Sequence, residues 1–234
     1  VFTLGIIPDL KKINLLSKKY KLKIIFDAAC AFGNYYINQC LTKFCDIAVY
    51  SFNGNKNFTT GGGGLISTEN IKHYSFCKKF SENGKTNTYE YKMTGFNLKM
   101  SSLNAALGIA QLKRFKKIMN KKIKINNIYK KNLTYIKLFD CTYPWGSYLP
   151  WMNFSLIKNK LYINKIIRKL KKSKIIANNF WLPMHKQATK KNFMLTSFPT
   201  TNYIYERILL LPSSTNLKFS VIKKITNIIN NVRI

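Results

Sequence analysis

The chain has 234 residues, 46% apolar and 14% aromatic, enough for a substantial core and too apolar for a disordered segment. Its 40 basic against 8 acidic residues leave a formal charge of +32. The lysines are spread through every segment alongside Asn and Ile, as an AT-rich coding bias produces, and no nucleic-acid motif accompanies them, so no specific nucleic-acid partner is expected.

No apolar run approaches the ~18 residues that span a bilayer, so no membrane insertion is expected. Five cysteines (Cys30, Cys40, Cys45, Cys77 and Cys141) without paired spacing argue against a disulfide framework or a metal site and fit a reducing, cytoplasmic setting.

Pro8-Asp9 before Leu10, Ile13, Leu15, Leu16 and Tyr20 reads as a capped amphipathic helix. Lys21 to Phe26 is a short strand ending at Asp27, Asp46 to Phe52 a second strand, and Gly64 to Ser67 a third after a glycine-rich turn. Glu69 to Phe80 is helical, and Asn83 to Thr94 is polar without a period and reads as a loop. Ser101-Ser102 caps a long helix running toward Tyr129. This alternation predicts an α/β domain, a largely parallel sheet with crossover helices, over residues 1–119.

Past residue 120 the pattern changes to a smaller α+β domain, residues 120–234. It contains a turn at Tyr143 to Gly146, a strand from Trp151 to Ile157 and a helix from Leu161 to Lys171. A loop at Leu182 to His185, an apolar segment at Leu209 to Ser214 and a last helix from about Phe219 to Val232 complete it.

One lysine is placed for chemistry. Lys56 sits in a polar turn after the strand Asp46-Ile-Ala-Val-Tyr-Ser51 and before the run Gly61-Gly-Gly-Gly64, where backbone can approach a ligand. In a parallel sheet the carboxyl ends of the strands share one edge, so Asp27 and Lys56 open onto one crevice. An amine and a carboxylate in a crevice suit pyridoxal phosphate: the lysine forms the Schiff base and the acid keeps the pyridine nitrogen protonated. Ser51 and Asn97 are candidates for the phosphate. Taken singly, such an Asp is more often a helix cap, and a histidine in a loop such as His185 a packing residue.

Three blocks carry a resemblance: Asp27-Ala-Ala-Cys-Ala-Phe-Gly33; Asp46 through Lys56 to Thr-Thr-Gly-Gly-Gly-Gly64; and Gly95-Phe-Asn97 through Ser101-Ser102 to Leu112. With Pro183-Met-His185 and Glu206 to Pro212 they make the chain similar to the DegT/DnrJ/EryC1/StrS family, sugar aminotransferases of fold type I. The resemblance implies that Lys56 holds pyridoxal phosphate and moves the proton in catalysis, that Asp27 pairs with the pyridinium, and that Ser51 binds phosphate. It further implies that Asn97 reaches the cofactor of the other subunit of a homodimer and that His185 faces substrate. The substrate class implied is a nucleotide-linked keto-deoxysugar, aminated at C4, with an amino acid, commonly glutamate, as donor, for surface-glycan synthesis.

Two departures qualify this. Position 30, usually Gln or Glu beside the phenolic oxygen of the cofactor, is Cys30, a poorer hydrogen-bond partner. Val1-Phe-Thr-Leu-Gly5 resembles a segment well inside family members, so the chain is expected to be N-terminally truncated, by fragmentation or by a split or decayed gene, with weak stability and little activity alone. A catalytically inactive remnant serving as a binding module is the alternative of a different class. The dehydratase branch, which replaces the lysine by histidine, is disfavoured by Lys56.

Overall fold

The computed structural model of the chain describes residues 1–85, 88, 90–187 and 197–232. These group into two compact units: Val1–Met119 with Cys141–Trp151, and Asn120–Asp140 with Met152–Ile234. The segment Cys141–Trp151 therefore packs with the first unit, although its sequence texture goes with the second. The reason is a set of long-range bonds to residues 34–37. Leu149 N donates to Asn34 Oδ1 at 2.9 Å, Ser147 N to Tyr35 O at 2.9 Å, and Ile37 N to Trp145 O at 2.7 Å.

The first unit begins with α1 (Leu10–Tyr20). Asp9 caps it, its carboxylate accepting from Lys11 N and Lys12 N, and Lys21 ends it in the left-handed region. Strands β1 (Ile25–Asp27), β4 (Ile47–Ser51) and β5 (Gly64–Ser67) form a sheet in the order β1-β4-β5. A small hairpin, β2 (Tyr35–Tyr36) with β3 (Gln39–Cys40), lies in the connection between β1 and β4. Helix α2 (Ile71–Ser81) is capped by Asn70, and α3 (Ser102–Asn132) is the long helix the sequence predicts, its residues to Met119 belonging to this unit.

The α/β class holds, but the sheet is not uniformly parallel. β1 and β4 pair parallel, Asp27 opposite Val49, whereas β4 and β5 pair antiparallel, Ser51 opposite Gly64. A parallel return needs a crossover, usually helical. The link from β4 to β5 holds no helix; its residues fold into the tight Lys56 turn, so the chain comes straight back along its neighbour. Of the expected loop 83–94, residues 86, 87 and 89 lie outside the described residues.

The core of this unit joins Phe2, Leu10, Phe26, Tyr36, Leu41, Tyr50, Phe52 and Phe58. In the second unit β6 (Asn153–Leu156) pairs antiparallel with β7 (Ile208–Leu211), all four β7 residues being buried. Helices α4 (Lys160–Lys172) and α6 (Phe219–Asn230) bury Ile163, Ile166 and Leu170 and Ile222, Ile225 and Ile229 respectively, the three- and four-residue spacing of one helical face. A further helix, α5 (Pro199–Tyr205), precedes β7.

The glycine run yields a contrast. A Cβ on Gly64 would collide with the Tyr50 carbonyl oxygen across the β4–β5 ladder, while one on Gly62 meets nothing within 4 Å. Gly64→Ala is expected to destabilise the fold by about 1–3 kcal/mol, and Gly62→Ala to stay within about 0.5 kcal/mol of the parent. Urea denaturation of the two variants measures both.

Candidate active site

The turn that carries Lys56 is held from beneath by aromatic rings. Phe52 and Phe58 flank it, their centroids 4.6 Å apart, and both pack on Phe32, at 5.2 and 4.9 Å. Phe115 of α3 adds an edge contact to Phe32 at 5.4 Å. Hydrogen bonds close the loop above this cluster. Lys56 N donates to Asn53 O at 3.0 Å, Gly54 N to Asn53 Oδ1 at 2.8 Å, Thr60 N to Phe52 O at 3.0 Å, and Phe52 N to Gly63 O at 3.0 Å. The apolar residues of the motif thus fix the path of its polar ones.

Lys56 Nζ points into a narrow cleft lined by Ala29, Cys30, Ser51, Asn57 and Trp151. It lies 3.4 Å from Cys30 Sγ, to which it donates, and 4.0 Å from the centroid of the Trp151 ring. Among the described residues it forms no ion pair. Asp27, at the carboxyl end of β1, is also without an ion pair there; its carboxylate accepts from Ala29 N at 3.1 Å. Burial pushes the Cys30 thiol up from its ordinary value, the Lys56 amine works against that, and the Asp27 carboxylate adds to it. One thiol therefore feels both charges, yet the charges do not neutralise each other.

Of the remaining sequence candidates, Ser51 ends β4 beside the cleft, its hydroxyl oxygen accepting from Asn53 N at 3.4 Å. Asn97 is exposed and bridges Glu82 beyond α2; it is not among the residues lining the cleft. His185 belongs to the second unit, where Nε2 lies 2.9 Å from Asn202 Oδ1 and the ring stacks on Phe198 at 4.8 Å. Both partners belong to its own unit, and His185 is not among the residues lining the cleft.

Residues outside the sequence candidates also line the cleft, Trp151 and Asn57 among them. Trp151, 3% exposed, reads in sequence only as the start of a strand. Asn57 follows Lys56 directly; its amide nitrogen donates to Pro150 O at 3.4 Å, and its Oδ1 is buried without a partner. Nothing local in the sequence marks Trp151, because its contact with the turn depends on how Cys141–Trp151 returns to the first unit.

The fold and the lysine-bearing turn after β4 define a mixed helix-and-sheet protein of the fold type I class. The chain belongs to the DegT/DnrJ/EryC1/StrS aminotransferase family, whose model matches residues 1–230. It is 37% identical over 127 residues to a GDP-perosamine synthase of Escherichia coli O157:H7, covering 53% of this chain and 35% of that protein. It is 27% identical over 235 residues to a GDP-perosamine synthase of Vibrio cholerae, covering 95% of this chain and 62% of that protein. The PMP-form of Spr1654 from Streptococcus pneumoniae shares its fold, with a TM-score of 0.89 at 20% identity, over 98% of this chain and 67% of that one. The chain thus spans less than two thirds of the length of these two synthases.

The donor set fits pyridoxal phosphate. Among the described residues an amine in the turn after β4 and a carboxylate at the end of the adjacent parallel strand β1 form no ion pair, a hydroxyl ends β4, and a buried amide oxygen lacks a partner. Opposite charges left apart in this way suit a ligand with a carbonyl at one end and a basic ring nitrogen at the other.

The raised Cys30 thiol has a chemical consequence. At pH 7–8 it is protonated and half-buried, whereas Cys40 is exposed. Iodoacetamide is expected to label Cys40 first, with Cys30 labelling rising only at a pH above that at which an ordinary thiol reacts; peptide mass spectrometry over a pH series reads both rates.

Proposed function

We propose that the protein containing this chain is a pyridoxal-phosphate aminotransferase that converts the carbonyl of a nucleotide-linked keto-deoxysugar, at C4, to an amine, taking nitrogen from an amino-acid donor, glutamate by preference. The observation that carries this reading is the unpaired Lys56 amine in its cleft, at the same sheet edge as Asp27, in a chain of this family. The naming of two relatives as GDP-perosamine synthases supports the nucleotide-sugar class, and the PMP-form of the structural neighbour supports the cofactor.

When bound, pyridoxal phosphate supplies an electron sink that lets a proton leave the carbon bearing nitrogen. The residues divide the rest of the work. Lys56 provides the amine that captures the cofactor and, at Nζ, the base that carries the proton. Asp27 would pair with the ring nitrogen and hold a proton there by charge-assisted hydrogen bonding. The Ser51 hydroxyl would bind phosphate, and Cys30, its thiol pushed up by burial, would be a weak donor to the ring substituent. Phe32, Phe58 and Trp151 exclude water from one side of the amine.

Asn97, exposed, is assigned to the cofactor of a second subunit in a homodimer, and His185 to the substrate loop. The protein is assigned to the reducing cytoplasm, a reading supported by five cysteines that form no disulfide; no helix among the described residues is long and apolar enough to cross a membrane.

Borohydride reduction of the protein with pyridoxal phosphate is expected to fix the label on Lys56. Label on a different lysine sinks the assignment. Lys56→Arg and Asp27→Asn should each lower amine transfer from glutamate to a nucleotide-linked 4-keto-deoxysugar by about 10²-fold or more, followed by chromatography of the amino-sugar product. Full turnover in either variant contradicts the role assigned to that residue.

A further inference from the structure

We propose that Trp151 is a positioning residue for Lys56, fixing where its amine points before any ligand arrives. The inference rests on the reading of Lys56 as the reactive amine. Three contacts join the Lys56 turn to the Pro150–Trp151 step. The Lys56 amine lies over the indole face at 4.0 Å, Trp151 Nε1 donates to Asn55 O at 2.8 Å, and Asn57 Nδ2 donates to Pro150 O at 3.4 Å. The two sequence neighbours of the lysine are thus both tied to the segment whose ring covers its amine.

The segment itself is well held. Leu149 N is bonded to the buried Asn34 side chain, which also donates to Gly5 O at 2.8 Å, so Trp151 is presented by a fixed support. A lysine has a flexible four-carbon stem, and a free one samples many directions. Here Cys30 Sγ on one side and the indole face on the other leave the amine one preferred place. An ammonium is attracted to the face of an indole, more strongly where water is excluded, and Trp151 is 3% exposed. Orientation of this kind is what raises the effective concentration of a reacting group.

Reductive methylation with formaldehyde and borohydride, read by peptide mass spectrometry, tests this without the cofactor. In the parent protein Lys56 should methylate about fivefold or more slowly than the exposed Lys12. Trp151→Leu, which removes the aromatic face, should bring Lys56 close to the Lys12 rate. Trp151→Phe, which keeps a smaller aromatic face and loses the five-membered ring with its N–H, should stay within about twofold of the parent.

Lys56 methylating as fast as Lys12 in the parent overturns the proposal, and this arm needs no variant to fold. So does a phenylalanine variant that matches a leucine variant of parental circular dichroism. Pyridoxal phosphate capture is measured in parallel: slow methylation with label on another lysine preserves the clamp and removes the catalytic reading, whereas fast methylation with label on Lys56 does the reverse.

Discussion

The structure around Lys56 depends on one constraint: the turn between β4 and β5 must close over Phe32. Phe52 enters the turn and Phe58 leaves it, and both set their rings on that residue. Burial of the aromatic rings holds the turn at both ends, so the polar residues between them have little freedom of their own. Ser51, Lys56 and Asn57 face the cleft because their apolar neighbours face the core. The antiparallel return of β5 follows from the same closure, since the link is used up in the turn.

The electrostatics follow from scarcity. With 8 acidic residues among 234, carboxylates are few, and most are engaged. Asp9 caps α1, Asp46 accepts from Ile24 N at 2.8 Å and Lys23 Nζ at 3.1 Å, and Glu82 pairs with Lys99 at 3.0 Å. The backbone N–H of Ile24 and the Lys23 amine together hold the Asp46 carboxyl below its ordinary value despite the cost of burial. Among the described residues Asp27 accepts from the local backbone donor Ala29 N and forms no ion pair, although the chain is rich in lysines. Asp27 and Lys56 both act on the Cys30 thiol, and neither forms an ion pair among the described residues, which leaves both groups available to a ligand.

Much of this was legible in the sequence where periodicity or turn chemistry is local. The apolar spacing of α4 and α6, the Asp9 cap and the strand ending at Ser51 all follow from neighbours a few residues apart. The sequence missed the β2–β3 hairpin, whose strands have two residues each and whose turn places Ile37 and Asn38 at positive φ, and α5, a seven-residue helix with little apolar pattern. Strand direction is not written in composition, so the antiparallel β5 came as a difference. The lysine turn was legible because glycines and hydroxyls cluster around it. Trp151 and the grouping of Cys141–Trp151 with the first unit were not, because bonds such as Leu149 to Asn34 join residues far apart in the chain.

Lys56 and Asp27 are assigned to opposite ends of a single heterocycle. The most direct measurement is a crystal structure of the protein grown with pyridoxal phosphate. Continuous density is expected from Lys56 Nζ to the cofactor, with an Asp27 carboxylate oxygen about 2.6–3.0 Å from the ring nitrogen. Cofactor bound elsewhere, or bound at Lys56 with Asp27 out of hydrogen-bonding reach of that nitrogen, would contradict it.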